Sequence, residues 1–258
     1  MQEKSYAKVN IFLKITGKRG NYHELVSRFV RVKNLYDCMF FVKEDNETFT
    51  LEGNFGCKTE QNTIYKAYVL LKERFSFLEE EFKNIKVKVE KNIPEFAGLG
   101  GGSSNCACFL NMCNAYFSLN LSKEELAFIG SKIGADVAFF VYEYDSANVS
   151  GIGEVVEEFK EDALEIETYT PLIDCNTVKI YQKYRAAFYS ETSKEQSSKL
   201  MSMKSLDVLK ILNIKEANDL YQAANALYPS LKENEKNNWY FSGSGSTFFK
   251  VKNGKRKS

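Results

Sequence analysis

Residues 84–105 read Asn84-Ile85-Lys86-Val87-Lys88-Val89-Glu90-Lys91-Asn92-Ile93-Pro94-Glu95-Phe96-Ala97-Gly98-Leu99-Gly100-Gly101-Gly102-Ser103-Ser104-Asn105, and the stretch continues to Phe117. Ile85, Val87 and Val89 alternate with Lys86, Lys88 and Glu90, the period-two pattern of a half-buried strand, which Pro94 stops. Beyond the glycines, Ala107, Leu110, Cys113, Asn114 and Phe117 fall at helical spacing behind a serine cap. Glycines just before a helix N-terminus let backbone N–H groups approach an anion, and the helix dipole favours negative charge there. The stretch therefore has the form of a phosphate-binding strand, loop and helix. It is not a P-loop, which closes on Gly-Lys-Ser/Thr, because no Lys lies between Gly98 and Asn105. It is not a dinucleotide G-x-G-x-x-G either, since Ser103 stands at the third glycine. Taken alone, the loop could also be a flexible glycine linker.

Outward from this stretch, the chain has the size and apolar content of a globular protein. Its 258 residues, 44% hydrophobic and 14% aromatic, suffice for one large domain or two ordinary ones. With 35 basic and 34 acidic residues the net charge is +1, so composition gives no reason to expect nucleic acid or an anionic membrane as partner. An anionic ligand must be held by local geometry. The charged start Met1 to Tyr6 lacks a signal-peptide core, and no apolar run nears the ~18 residues of a membrane span, so a cytoplasmic protein is expected. Cys38, Cys57, Cys106, Cys108, Cys113 and Cys175 form no C-x-x-C pair and read as reduced, small core residues. His23 is the only histidine, which argues against a histidine zinc site or a Ser-His-Asp triad and leaves a carboxylate as the natural general base.

Before the glycine stretch, Val9, Ile11, Leu13 and Ile15 alternate with Asn10, Phe12, Lys14 and Thr16, predicting a strand ending at the Gly17 to Asn21 turn. Further strands are predicted over Leu25 to Val32, Cys38 to Lys43 and Thr48 to Leu51, giving a mostly antiparallel opening sheet. Ile64, Ala67, Tyr68, Leu71 and Phe75 mark an amphipathic helix. Ser122-Lys123-Glu124-Glu125 is a capping box whose helix should end at Gly130 or Gly134. Val137 to Tyr142 and Ala147 to Val149 read as strands. After Glu154 to Phe159 come a strand (Ile166 to Ile173), a helix (Val178 to Tyr189), two or three helices (Leu206 to Leu231) and a closing pair, Trp239 to Ser242 and Thr247 to Val251. The tail Lys252 to Ser258 is basic and expected to fray.

Some polar groups stand out singly. Lys8 lies on the first strand, where a lysine normally snorkels to the surface. Asp136, in Gly134-Ala135-Asp136-Val137, normally would be a turn or cap residue. Tyr22, His23 and Tyr181 could stack on a base or simply pack. Their combination with two further glycine-rich turns, Gly151-Ile152-Gly153 and Ser242-Gly243-Ser244-Gly245-Ser246, gives them weight.

Six motifs in order, Ala7 to Leu13, Gly20 to Leu25, Lys91 to Pro94 with Gly98 to Asn105, Gly134 to Val137, Gly151 to Glu154, and Ser242 to Ser246, resemble those of the GHMP-type small-molecule kinases. The likeness runs through nearly the whole chain and is weaker in its C-terminal half. The triple glycine followed by Ser-Ser-Asn, together with the Tyr22-His23 pair, resembles the branch that phosphorylates a cytidylated sugar alcohol. Ala138 and Cys106 depart from the family's usual residues beside the motifs.

The resemblance implies an α+β, two-domain GHMP kinase fold. A ribosomal-protein-S5-domain-2-like, ATP-binding domain would cover residues 1–155, a ferredoxin-like domain would cover 156–258, and the site would lie in the cleft between them. It implies ATP and Mg2+ as cofactors and, as acceptor, the 2-hydroxyl of a cytidine-diphosphate-linked methylerythritol. Nucleic acid and membrane are not expected partners, and a monomer or weak homodimer is expected. Asp136 would take the hydroxyl proton, with Lys8 beside it keeping the carboxylate ionised and offsetting charge on the attacking oxygen. Asn10 would position the acceptor, while Tyr22, His23 and Tyr181 would hold the cytosine. Pro94, Gly98, Leu99, Gly100, Gly101, Gly102, Ser103 and Ser104 would wrap the ATP phosphates, Asn62 and Lys91 would lie near the adenine, and Ser104 would be the metal ligand. The chemistry is coherent, because phosphoryl transfer asks mainly for alignment and charge neutralisation. The alternatives are a related kinase acting on mevalonate or homoserine, and a non-catalytic nucleotide- or RNA-binding relative. Tyr22-His23 and the triple glycine oppose the first, while Lys8, Asp136 and the near-zero charge oppose the second.

Overall fold

A computed structural model describes residues 1–252; the remainder of the basic tail lies outside the described residues. In chain order the elements are β1 (Gln2–Arg19), β2 (Tyr22–Lys43), β3 (Thr50–Gly53), α1 (Thr63–Arg74), the single turn α2 (Leu78–Glu81), β4 (Ile85–Glu90), α3 (Gly101–Tyr116), α4 (Lys123–Ser131), α5 (Val137–Tyr142), β5 (Ser146–Ser150), β6 (Val155–Glu158) and β7 (Ile166–Tyr169). They continue as α6 (Thr177–Ala187), α7 (Lys194–Ser202), α8 (Ser205–Ile211), α9 (Ile214–Ala217), α10 (Tyr221–Leu227), β8 (Tyr240–Phe241) and β9 (Phe248–Val251). The fold is α+β, and its residues group into two compact units. One holds Met1–Ala7, Leu35–Ile93 and Gly100–Glu143; the other holds Lys8–Asn34, Pro94–Leu99 and the chain from Tyr144 onward.

In the first unit, the C-terminal half of β2 pairs antiparallel with β4, Cys38 opposite Glu90 and Lys43 opposite Ile85. β3 adds to β4 in parallel. Helix α1 buries the predicted face, Ile64, Ala67, Tyr68 and Leu71, and α3 buries Ala107, Phe109, Leu110 and Cys113. Between sheet and helices lies an aromatic cluster: Phe49 stacks on Tyr68 at 4.2 Å, and Phe82 meets Phe41 and Phe109 at 5.7 Å each. Aromatic pairs in such arrangements contribute beyond their buried area. The Ser122 capping box is formed in both directions, and the helix runs through Gly130 to Ser131.

Two differences from the sequence reading have clear causes. Val137–Tyr142 forms helix α5 rather than a strand. Five successive side chains, Val137 to Val141, are buried, and a short uniformly apolar run carries no period to separate buried strand from buried helix. The strands expected over Leu25 to Val32 and Cys38 to Lys43 are one 22-residue strand, β2; nothing between them is Gly or Pro, so nothing breaks it.

In the second unit, the N-terminal half of β2 pairs with β5, Ser27 opposite Val149, and β5 pairs with β6. A separate antiparallel sheet runs β7-β9-β8. Leu13, Ile15 and Leu25 join Ile180, Tyr184, Leu220, Tyr221, Phe241 and Phe248 in this unit's core. Helix α7, absent from the sequence reading, packs few apolar side chains, chiefly Leu200, and so leaves little periodic signal.

Arg28 on β2 is wholly buried. It donates to Asn148 Oδ1 at 2.7 Å and to the carbonyls of Met201 and Met203, lies 3.8 Å from the Glu161 carboxylate, and its guanidinium sits 3.3 Å from the Phe159 ring centre. Burial is the main cause that lowers its pKa to about 10, with Glu161 opposing. Glu161 in turn accepts from Ser146 Oγ and from Ser205 N and Oγ. Removing one member of a buried, hydrogen-bonded charge pair leaves the other uncompensated. Glu161→Ala is therefore expected to lower the unfolding free energy by about 3–5 kcal/mol in urea titrations; a loss below ~1 kcal/mol would show the pair to be dispensable.

Candidate active site

The glycine stretch begins where β4 ends. Gly98 and Gly100 take φ of +73° and +71°, a region glycine enters without strain. A Cβ at Gly98 would lie closer than 3.0 Å to the Ser242 carbonyl oxygen, so backbone packs directly on backbone there. Helix α3 starts at Gly101, with Gly100 at the N-cap position and no side-chain cap. The expected serine cap is thus displaced inward, and Ser103 and Ser104 belong to the first turn. The leading N–H groups of a 16-residue helix have no partner within it, so the loop presents donors and a positive dipole end. The Gly102 carbonyl accepts from Thr63 Oγ1 at 2.7 Å, bringing the start of α1 beside that of α3.

Ser104 points inward. Its hydroxyl donates to the Tyr6 carbonyl at 2.6 Å and accepts from Ser5 Oγ at 2.8 Å, and it is buried. An oxygen so engaged does not fit a magnesium ligand. Among the described residues, no group of three or more His, Cys, Asp or Glu side chains is arranged to hold a metal. Ser103, one residue earlier and partly exposed, lies near Gly134.

Asp37 escaped the sequence reading. Its buried carboxylate accepts from Asn92 N (2.7 Å), Ile93 N (2.8 Å), Lys91 Nζ (2.5 Å) and Asn105 Nδ2 (2.9 Å). Lys91 also donates to Asn105 Oδ1, and Asn105 Nδ2 donates to Ser5 Oγ. Lys91 thus has its ammonium group committed, although a Cβ at Gly101 would lie 3.7 Å from it. Asn62 caps α1 by accepting from Ile64 N at 2.9 Å. The available signal for Asp37 was an acidic residue between Tyr36 and the strand-like run Cys38 to Val42.

In the second unit, Lys8 is buried at 3% exposure, so it does not snorkel. Its Nζ donates to Asn10 Oδ1 at 2.6 Å and lies 4.4 Å from the Phe29 ring centre. Asn10 donates to Ser27 Oγ, which donates to the Phe12 carbonyl. The backbone N–H of Lys8 donates to the Leu99 carbonyl, fixing the loop to β1. Lys8 and Asn10 thus form one polar cluster. Gly151-Ile152-Gly153 instead makes a structural turn, where Glu154 accepts from Ile152 N and pairs with Arg19.

His23 and Tyr181 also meet, with ring centres 5.3 Å apart; Tyr184 lies at 5.8 Å and Tyr189 at 6.1 Å. His23 is buried and its Nε2 has no hydrogen-bond partner. Burial, followed by the charges of Arg185 and Lys18, lowers its pKa below the usual 6.5 and keeps the ring neutral. Tyr22 is 65% exposed, unlike its neighbour. Pro94 is exposed at the loop entrance. Asp136, in the first unit, stands in the turn before α5 at its N-cap position, and its side chain makes no capping bond there.

Known proteins resemble this chain at three levels, a domain model, solved structures and full-length relatives. Residues 62–144 match the model of the GHMP kinases N terminal domain. A mevalonate kinase structure from Methanococcus jannaschii shares the fold at TM-score 0.60 and 13% identity, covering 98% of this chain and 90% of that one. That domain and that fold are those of the GHMP kinases. The chain is 55% identical, over 96% of each sequence, to 4-diphosphocytidyl-2-C-methyl-D-erythritol kinase of Sulfurimonas denitrificans, and 41% identical to the Helicobacter pylori protein of that name, over 96% of this chain and 93% of the other. A crystal structure of 4-(cytidine 5'-diphospho)-2C-methyl-D-erythritol kinase superposes with TM-score 0.72 at 26% identity, covering 98% of this chain and 91% of that one. The chain belongs to the 4-diphosphocytidyl-2-C-methyl-D-erythritol kinase family.

Gly98→Ala meets both a positive φ and a backbone clash, and is expected to weaken ATP binding at least about tenfold in titrations; unchanged affinity would remove Gly98 from the nucleotide loop. His23 gives a pH dependence. Its folded pKa lies below its unfolded one, so on acidification the unfolded chain takes up the proton first, and stability falls as pH drops through about 6.5. Wild type should lose stability between pH 7 and pH 5 more steeply than His23→Gln in parallel melts; equal slopes would contradict the neutral ring.

Proposed function

We propose that this protein transfers the γ-phosphoryl group of ATP to the 2-hydroxyl of 4-(cytidine 5'-diphospho)-2-C-methyl-D-erythritol, in the methylerythritol phosphate route to isoprenoid precursors. The observation that carries the acceptor is the His23–Tyr181 pair, with a buried, unpartnered Nε2. An orphaned polar atom is costly unless a ligand satisfies it. A neutral imidazole beside an aromatic ring suits an uncharged base such as cytosine, with the more exposed Tyr22 closing on it.

In this reading the amides from Gly98 to Ser103 receive the ATP phosphates, and Pro94 and Leu99 shape the loop. Asn62 and Lys91, whose polar ends are already engaged, bound the adenine with backbone and carbon atoms. Asp136 accepts the proton of the attacking hydroxyl, Lys8 offsets the charge that develops on its oxygen, and Asn10 orients the acceptor. Magnesium would supply charge neutralisation at the phosphates, and Ser104, engaged with Ser5 and Tyr6, would not hold it. The protein works in the cytoplasm.

ADP release is expected with the cytidylated methylerythritol and not with mevalonate or homoserine. Equal turnover on those alcohols, or none on any, would overturn the assignment. Asp136→Asn should keep ATP affinity and lose about 10²–10⁴ in kcat; near-normal turnover would remove it from the role of base.

A further inference from the structure

We propose that Asn218 is a positioning residue for phosphoryl transfer, setting the Ser242–Ser246 turn against Gly98 and Asn10; the inference rests on the kinase reading above. Asn218 is only 1% exposed. Its Nδ2 donates to the carbonyls of both Phe241 (3.0 Å) and Gly243 (2.8 Å), and its Oδ1 accepts from Leu220 N (2.9 Å). Both donor hydrogens of the amide are spent on one turn, and its acceptor on its own chain. No other side-chain type of this size offers two donors and an acceptor in one plane.

The residue is itself anchored to the strand that carries Lys8 and Asn10. Asn218 bridges Leu13 in parallel, Asp219 N donates to the Leu13 carbonyl at 3.0 Å, and the Asp219 carboxylate accepts from Ile15 N at 2.7 Å and pairs with Lys14. The frame behind Asn218 is therefore β1 backbone. In front of it, the turn reaches the nucleotide loop. Ser242 Oγ donates to the Gly98 carbonyl at 3.0 Å, Thr247 N donates to the Ala97 carbonyl at 3.1 Å, and the Cβ position of Gly243 lies 3.1 Å from the Gly98 carbonyl oxygen and 3.4 Å from Asn10 Oδ1. Gly243 takes φ of +55°, so its peptide orientation is not fixed by a side chain of its own.

In a trans peptide, C=O and the following N–H point oppositely. Holding the Gly243 carbonyl on Asn218 therefore turns the next amide away from Asn218, and holding Phe241 fixes the plane before Ser242. Without the two bonds the turn can rotate, and Gly98 and Asn10 lose the surface they pack on. Misplacement of this kind lowers turnover more than affinity for a remote part of the substrate.

The test compares Asn218→Ala with Val208→Ala, a buried position on α8 that destabilises without touching the site, at temperatures where both remain folded. For Asn218→Ala, kcat is expected to fall about tenfold or more while KM for the cytidylated acceptor stays within about threefold; Val208→Ala keeps kcat within about twofold. Loss no greater than in Val208→Ala, or loss confined to KM, would overturn the proposal. Should Asn218→Ala fail to fold, Ser242→Ala removes only the bond to Gly98; it is expected to lower kcat in the same sense, and wild-type kcat there would overturn the proposal. Wild type inactive on this acceptor defeats the kinase reading alone. The variants are then judged by ATP titration, where weakened affinity is expected and wild-type affinity overturns the positioning role.

Discussion

The Asp37 carboxylate, closed off from solvent, takes hydrogen bonds from two backbone N–H groups, an ammonium and an amide. A buried charge is tolerable only when so satisfied, and stripping it of a partner typically costs ~3–5 kcal/mol. The site inherits its rigidity from this cluster. Through Asn92 and Ile93 it fixes the end of β4, and through Asn105 and Ser5 it sets the rotation of α3 about its axis. With about 100° between successive residues, Ser104 is driven inward onto Tyr6 and Ser103 is left facing outward. The cap glycine and the free amides then point where an anion can reach them. The middle of the glycine loop, Pro94–Leu99, belongs to the other unit. There it is held independently, by Lys8 N on Leu99 and Ser242 on Gly98.

What the sequence disclosed follows the kind of signal each feature carries. Alternation exposed β4, a capping box exposed α4, and spacing exposed α1 and the buried face of α3. Features whose cause is tertiary stayed hidden. Helix α5 has no period because every side of it is covered. Asp37, Asn218 and Ser27 act through partners 17 to 68 residues away that only folding brings close, and Asn218 reads locally as one polar residue in a helical stretch. Ser104 shows the same limit in reverse: the motif identified the loop, while the direction of one hydroxyl depended on Ser5 and Tyr6. A shared role for His23 and Tyr181 came only from the family resemblance, and the Lys8–Asn10 bond carried no separate signal in the sequence.

Lys8 on β1 and Arg28 on β2, both buried basic groups, are held differently. Lys8 keeps its ammonium among a neutral amide oxygen and an aromatic face. Arg28, by contrast, is closed by Glu161, Asn148 and two carbonyls, and serves the fold alone.

His23 completes the pattern from the uncharged side. In the proposed reading, a charged ring would be drawn to the substrate's phosphates and would compete with recognition of the base. Burial among Tyr181, Tyr184 and Tyr189, with Lys18 and Arg185 nearby, removes that charge. A neutral ring can then discriminate by hydrogen-bond pattern, since leaving a buried nitrogen unpaired penalises every ligand that lacks the matching group. In a chain whose net charge is +1, no general attraction distinguishes one anionic substrate from another. Under the proposed function, discrimination between acceptors would therefore rest on this neutral ring rather than on net charge.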